Sequence, residues 1–374
     1  MLTLRNIFWC LSTAAFSCSA ILYFSVSKSL NIYLQRLHEG MYANETYLID
    51  GFTRRALYWN NKSAVKSNLF TSSSEVYVSG NTSKDWCSGL SRLYPLILNF
   101  SNTRALPKHY GPINNVSLGY KLEPKNICNR KRRIYILSIV KSRVNNFKLR
   151  QAIRKTWGKR PSNRRNVLIF TLGLSSDEVV QKLVRREFST YGDILQGNFI
   201  DNYYNNTIKT TMEIRWAGRI CKHSRFVLLV DDDVIVNFQN LETHVSQITE
   251  DKENNLFSGN LKNLDGPMRN KNAKWYMSKY RFPYTCYPPY ISGGAILTSG
   301  KVISRISEAL PFVKRFRYDD VYLGIIVQKL GIKPQRNVQV SMRKLKADKL
   351  RTFIASHGFK NAKEYLATYR NFTL

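Results

Sequence analysis

The 374 residues contain no CxxC pair and no Cys/His spacing of a zinc site, so a structural zinc module is excluded. There is no internal repeat and no low-complexity tract, which sets aside repeat arrays and compositionally biased linkers. Acidic side chains are scarce: 25 Asp+Glu stand against 58 Lys+Arg, a formal net charge of +33. So basic a chain attracts anions, whether nucleic acid, an anionic membrane surface or a phosphate-bearing small molecule. Charge is missing altogether from residues 7–27, IFWCLSTAAFSCSAILYFSVS. That length spans a bilayer as a helix. A cleaved signal peptide has a shorter apolar core and a small-residue cleavage site, so an uncleaved anchor is the preferred reading. The flanking charges, Arg5 before and Lys28 and Arg36 after, do not set its orientation.

What is present makes a folded protein. Hydrophobic residues make up 43% and aromatics 13%, enough for a sizeable core. Sequons occur at Asn44, Asn61, Asn81, Asn99, Asn115, Asn205 and Asn371, which supports a lumenal bulk beyond the membrane. Cys10 and Cys18 belong to the apolar segment. Cys87, Cys128, Cys221 and Cys286 remain in a disulfide-permissive compartment, with three possible pairings left open.

The chain therefore divides into a tail (residues 1–6), a transmembrane signal anchor (7–27), a stem with weak periodicity (28–130) and a folded domain (131–374). NRKRR at 129–133 reads as a solvated cluster before a strand; a nuclear-localisation reading conflicts with the anchor. From Ile134 on, strand and helix signals alternate. IYILSIV, NVLIFTLG, DILQGNFI and RFVLLV predict strands. NNFKLRQAIRKTWG predicts a helix through Phe147, Leu149, Ile153 and Trp157, stopped by Gly158. SSDEVVQKLVRREFSTYG predicts a second helix with acidic caps, and TIKTTMEIRWAGRICKH a third. The expected fold is α/β with a central, mostly parallel sheet. In such sheets ligands bind at the carboxyl ends of the strands.

Three aspartates, Asp231, Asp232 and Asp233, interrupt FVLLVDDDVIVN at that end of a strand. Capping carboxylates in a wet loop are the plain reading. The alternative is a divalent cation, Mn²⁺ or Mg²⁺, which relieves the repulsion and bridges carboxylates to substrate phosphates. YDDVYLGIIVQKLG opens with Asp319 and Asp320, either helix-capping charges or a general base. YPPYISGGAILTSG pairs a proline turn with Gly293 and Gly294, either turn chemistry or a backbone loop against a sugar. Arg150 and Arg154, one helical turn apart, are either surface arginines or a diphosphate clamp. His357, in IASHGF, by itself reads as an ordinary partly buried histidine.

In this order RQAIRKTWG, DILQGNFIDNYYNNTIKT, VDDDVIVN, YPPYISGGA and DDVYLGI resemble the β-1,3-glycosyltransferase family of galactosyl- and N-acetylglucosaminyltransferases, over roughly residues 134–369. The resemblance implies a GT-A nucleotide-sugar fold in a type II Golgi membrane enzyme, with the catalytic domain lumenal. It implies inverting β-1,3 transfer of galactose or N-acetylglucosamine from a UDP-sugar to a glycan on protein or lipid. It assigns metal ligation to Asp233, Asp231 and His357, the base to Asp320 with Asp319 beside it, and the UDP pocket to Arg150, Arg154 and Trp157. Asp232, Gly293 and Gly294 complete the expected donor site. Some positions depart from the family. Leu229 replaces a lysine, Ile291 a cysteine, Asn206 a leucine and Asp319 a glutamate, so the cysteine's disulfide is absent or rewired through Cys286. Two other readings stand beside it. One is an inactive glycan-binding relative of the same fold. The other, nucleic-acid binding, is opposed by the anchor and the dispersed charge.

Overall fold

The computed structural model describes residues 112–373, apart from 126, 129–133 and 160–164. The expected anchor and most of the expected stem lie outside the described residues. No helix among the described residues is long and apolar enough to cross a membrane.

The chain lays down β1 (Tyr120–Leu122), β2 (Ile136–Lys141), α1 (Phe147–Lys155), β3 (Asn166–Leu174), α2 (Glu178–Tyr191) and β4 (Ile194–Ile200). Then come α3 (Asn206–Ile220), β5 (Phe226–Asp231), β6 (Val234–Val236), α4 (Phe238–Ser246), α5 (Glu250–Glu253), β7 (Phe257–Lys262) and β8 (Tyr290–Ser299). The last elements are α6 (Gly300–Ala309), α7 (Asp319–Lys329), β9 (Gln335–Arg336), β10 (Val340–Ser341), α8 (Ala347–Leu350), β11 (Ala355–His357) and α9 (Ala362–Thr373).

Local signals set several boundaries. Asp177 accepts from the Val179 and Val180 amides and opens α2; Gly192 closes it in the left-handed conformation, φ 63°. Helix α1 ends earlier than its apolar spacing predicts. The chain turns after Lys155, with the Gly158 amide bonded to Ile153 O at 2.9 Å, so Trp157 lies past the helix.

The main sheet has the order β1-β4-β3-β2-β5-β8-β7-β9. Strands β4, β3, β2 and β5 are parallel neighbours, while β8 is antiparallel to both β5 and β7 and β1 is antiparallel to β4. With β9 parallel to β7, four of the seven pairings are parallel and three antiparallel, so the sheet is mixed. The sequence pattern missed this because a strand buried on both faces reads as a continuous apolar run whichever way its neighbour points. In β2, Ile136 and Val140 join one core and Leu137 and Ile139 the other. Helices α1 and α9 cover the first face; α3, α6 and α7 cover the second. The expected stem boundary falls inside the fold: Tyr120 pairs with Gly197 in β4, and Asn114 Nδ2 donates to Leu310 O and Val313 O. Cys128 and Cys221 form a disulfide between the segment before β2 and the end of α3, and Cys286 is disulfide-bonded as well.

The strand order reverses between β2 and β5. Successive βαβ steps run outward from β2 to β4, and the chain then returns to add β5 on the other side. A crevice opens at such a switch point, above the carboxyl ends of the two strands. Lys141 ends β2 and is paired in register with Asp231, which ends β5.

Candidate active site

The three aspartates mark where the chain leaves one sheet for another. After Asp231 it turns, and β6 pairs with β11 in a separate three-stranded sheet, β10-β11-β6. The turn sorts the three carboxylates. Asp232 is buried and accepts from Ser142 Oγ at 2.6 Å and Asn146 Nδ2 at 2.8 Å, tying the strand end to the loop before α1. Asp231 and Asp233 share the other side with His357. One ligand atom from each of the three lies within 4.8 Å of the others.

Tertiary pairing brings His357 there. His357 pairs with Val234 across β11 and β6, and the amides of Gly358 and Phe359 donate to Asp233 O at 2.9 and 2.8 Å. His357 Nε2 then sits 3.2 Å from Asp233 Oδ1. Gly294 clears space for the ring: a Cβ there would meet Met342 Cε at 2.8 Å and His357 Cδ2 at 3.2 Å.

A second acidic pair lies at the start of α7. Asp319 is bound by Lys141 Nζ and by Thr210 Oγ1 at 2.9 Å. Lys141 also lies 3.7 Å from Asp231, so one ammonium links both strand ends to α7. Burial works against that charge, but Asp319 and Asp231 outweigh it and hold the ammonium well above its usual range. Asp319 stays ionised: burial opposes its charge, and Lys141 and Thr210 more than compensate. Asp320 is different. Its carboxylate accepts from the Val321 amide at 2.8 Å and from the Gly293 amide, and burial, then Asp319, push it up to about 6. Asp231 is pushed up to about 8, by burial first; Lys141 opposes the rise and Asp319, Asp233 and Asp232 add to it, although a third of its side chain meets solvent. Two carboxylates of opposite tendency at one helix start are the usual mark of an acid–base site.

Three expected donor-site residues lie elsewhere. Arg150 is fully buried; it donates to Glu187, to Ser142 Oγ and to Arg143 O. Arg154 pairs with Glu187 at 2.7 Å and Asp193 at 2.9 Å. Neither is a surface arginine nor an open diphosphate clamp, because buried carboxylates already use their donors. Trp157 is buried and donates to Tyr365 Oη at 2.5 Å, which in turn donates to Val234 O at 2.7 Å. Arg150 braces the loop before α1, Trp157 braces the strand after the aspartate turn through Tyr365, and Arg154 ties α1 to α2 and to the residue before β4. Sequence reasoning passed over Lys141 and Thr210. The signal for Lys141 was its place at a strand's carboxyl end; Thr210 carried none.

The Galactosyltransferase family model matches residues 148–338, from α1 to just past β9, a span that includes Asp231, Asp233 and Asp320. The chain belongs to this family. Among its relatives, Lactosylceramide 1,3-N-acetyl-beta-D-glucosaminyltransferase A of Danio rerio is 31% identical over 235 residues, covering 60% of this chain and 62% of that one. Beta-1,3-galactosyltransferase brn of Drosophila melanogaster is 36% identical over 232 residues, 60% of this chain and 70% of that one. The chain thus spans a little under two thirds of the first relative and somewhat more of the second. Among solved structures, galactosyltransferase LgtC in complex with donor and acceptor sugar analogs overlaps loosely, with a TM-score of 0.34 and 14% identity over 63% of this chain and 96% of that one.

Two departures from the galactosyltransferase-family pattern have a visible physical setting. Leu229 is buried in the core shared with α3 and α6. Ile291 is fully buried against Gly259, where a Cβ would meet its Cγ2 at 2.5 Å.

Proposed function

We propose that this chain is a metal-dependent inverting hexosyltransferase. It moves galactose or N-acetylglucosamine from a UDP-sugar into β-1,3 linkage on a glycan of protein or lipid. The observation that carries the reading is the convergence of Asp231, Asp233 and His357 at the strand-order reversal, beside Asp320.

The donor set fits a divalent cation. Two carboxylates suit a hard ion, and the imidazole favours a transition metal, which makes Mn²⁺ the first choice over Mg²⁺. When bound, such an ion supplies positive charge to the diphosphate that leaves. The chain's own residues do the rest. Asp320 takes the proton from the acceptor hydroxyl, and its raised pKa of about 6 lets it hold that proton near neutral pH. The acceptor oxygen bonds to the anomeric carbon as the bond to UDP breaks on the opposite face, with no enzyme-linked intermediate. Asp319 does not share the base role; bound by Lys141 and Thr210, it fixes the start of α7 and keeps a negative charge beside Asp320. Gly293 presents its backbone to Asp320 in place of a side chain, and its Cβ position lies 3.7 Å from Asp320 Cβ.

The switch-point crevice supports a GT-A assignment, and residues 7–27 together with the sequons support a type II anchor with a lumenal domain in the Golgi. The deciding experiment incubates the full chain with UDP-galactose and UDP-N-acetylglucosamine, with and without Mn²⁺, and follows UDP release and product linkage. Turnover that persists in chelator, and that Asp233→Ala leaves untouched, rejects the reading.

A further inference from the structure

Trp275 and Tyr203 form an exposed aromatic step beside the acidic site. Trp275 is 50% exposed and donates its indole N–H to the Tyr203 hydroxyl at 2.9 Å. Lys274 Nζ lies 4.8 Å from the Tyr203 ring centre and 5.3 Å from that of Trp275. Next to them Arg317 lies 4.9 Å from the ring centre of Tyr204, which is 63% exposed.

Contacts to the residues just before Asp319 tie this step to the reacting groups. Tyr318 donates its hydroxyl to Tyr276 O, next to Trp275, at 2.7 Å, and Arg317 lies over Tyr204, next to Tyr203. Thr207 Oγ1 donates to Phe316 O at 2.8 Å, and Thr210 Oγ1 to Asp319 at 2.9 Å. These contacts set the aromatic step next to the start of α7. Burial raises the pKa of the Tyr203 hydroxyl, its hydrogen bond from Trp275 opposes this, and the charges of Asp319 and Asp320 add to the rise.

The segment carrying Trp275 is basic. Between residues 262 and 281 it has Lys262, Arg269, Lys271, Lys274, Lys279 and Arg281 against Asp265. Arg269 is spent on the carbonyls of Met277, Phe282 and Tyr284, and Lys262 lies 3.9 Å from Asp265. Lys274 stays exposed on the rings and meets no acidic side chain among the described residues. Sugar rings have apolar C–H faces that pack on aromatic surfaces, and an ammonium held at the edge of such a surface adds a charge-assisted contact for an anion.

We infer that this step is the acceptor subsite and that it selects an anionic glycan. A sugar ring of the acceptor stacks on Trp275 and Tyr203, and a carboxylate or sulfate ester on that ring or the next one pairs with Lys274. The inference rests on the transferase reading above and narrows its acceptor class. It also gives part of the +33 charge a purpose on the acceptor side rather than the donor side.

The test uses the full chain, Mn²⁺ and the UDP-sugar that it hydrolyses faster without acceptor. Three matched acceptors carry the same reacting sugar: one neutral, one with a uronate neighbour and one with a sulfate ester. The expected result is a KM about tenfold lower for an acidic acceptor than for the neutral one, shrinking as salt rises towards 0.5 M. Whichever acid is preferred identifies the group that Lys274 meets. Lys274→Glu abolishes or inverts the preference, while Trp275→Ala raises KM for all three acceptors. Equal KM values, or a preference that survives Lys274→Glu and high salt, overturn the inference while donor hydrolysis keeps the transferase reading standing. Absence of donor hydrolysis in the wild-type chain removes that reading, and this inference with it.

Discussion

His357 Nε2 lies 3.2 Å from Asp233 Oδ1, and the backbone beside that histidine is bonded twice to the backbone of the same aspartate. The side-chain contact and the backbone brace are separate, so substitutions can divide them. His357→Asn keeps the Gly358 and Phe359 amide bonds to Asp233 O but deletes the imidazole. It is expected to lower Mn²⁺ affinity by about 10- to 100-fold with little change in Tm. A Tm drop of many degrees with unchanged metal affinity would make the imidazole a structural group.

Gly294 and Gly293 should answer alanine differently. At Gly294 the added carbon meets Met342 Cε at 2.8 Å and the His357 ring at 3.2 Å, whereas at Gly293 it meets Asp320 Cβ at an ordinary 3.7 Å. The Met342 methyl can yield, but the ring is held by its strand. Gly294→Ala is therefore expected to weaken Mn²⁺ binding about tenfold, read by metal titration of activity, and Gly293→Ala to leave it within about twofold. The reverse order would mean that Gly294 does not shape the metal site.

Asp320→Asn removes the proton acceptor and keeps the shape. Transfer is expected to fall about 100- to 10,000-fold, with UDP affinity by calorimetry almost unchanged. Loss of UDP affinity in that variant would move Asp320 from base to binding.

Asp320 also sets a pH profile. It accepts a proton only as a carboxylate, so kcat/KM is expected to fall below about pH 6. In Asp319→Asn the adjacent negative charge is gone and the acid limb shifts to lower pH. An unmoved limb would assign it to another group. Stability runs the opposite way. The native pKa of Asp320 lies above the ordinary 3.8, so the folded state holds this proton more tightly than the unfolded chain. Its contribution is complete below about pH 4 and is lost as pH rises through about 6.

Arg154→Ala tests the reassignment of the arginine pair. The change leaves Glu187 and Asp193, both nearly buried, without that partner. It is expected to cost about 3–5 kcal/mol of stability. Among molecules still folded, the KM for UDP-sugar should hold. An intact Tm with a raised KM would return Arg154 to the donor site.

The sequence alone determined the alternation of strands and helices, because apolar period and caps act over a few residues. It also located the acidic triplet at a strand end and the acidic pair at a helix start, because both are contiguous. It offered no way to choose between wet capping aspartates and a cation site, since each cluster has a local explanation. What tertiary structure decided is how the carboxylates are sorted and which residues meet them. The pairing of β6 with β11 brings His357 beside Asp231 and Asp233 and turns Asp232 towards Ser142 and Asn146. The register of β2 with β5 brings Lys141 between Asp231 and Asp319, and burial beside Asp319 raises Asp320. The same packing took Arg150 and Arg154 against buried carboxylates, which outweighed their surface-like spacing. Contacts between distant segments depend on register and solvent exclusion, and neither is written in the order of neighbouring residues.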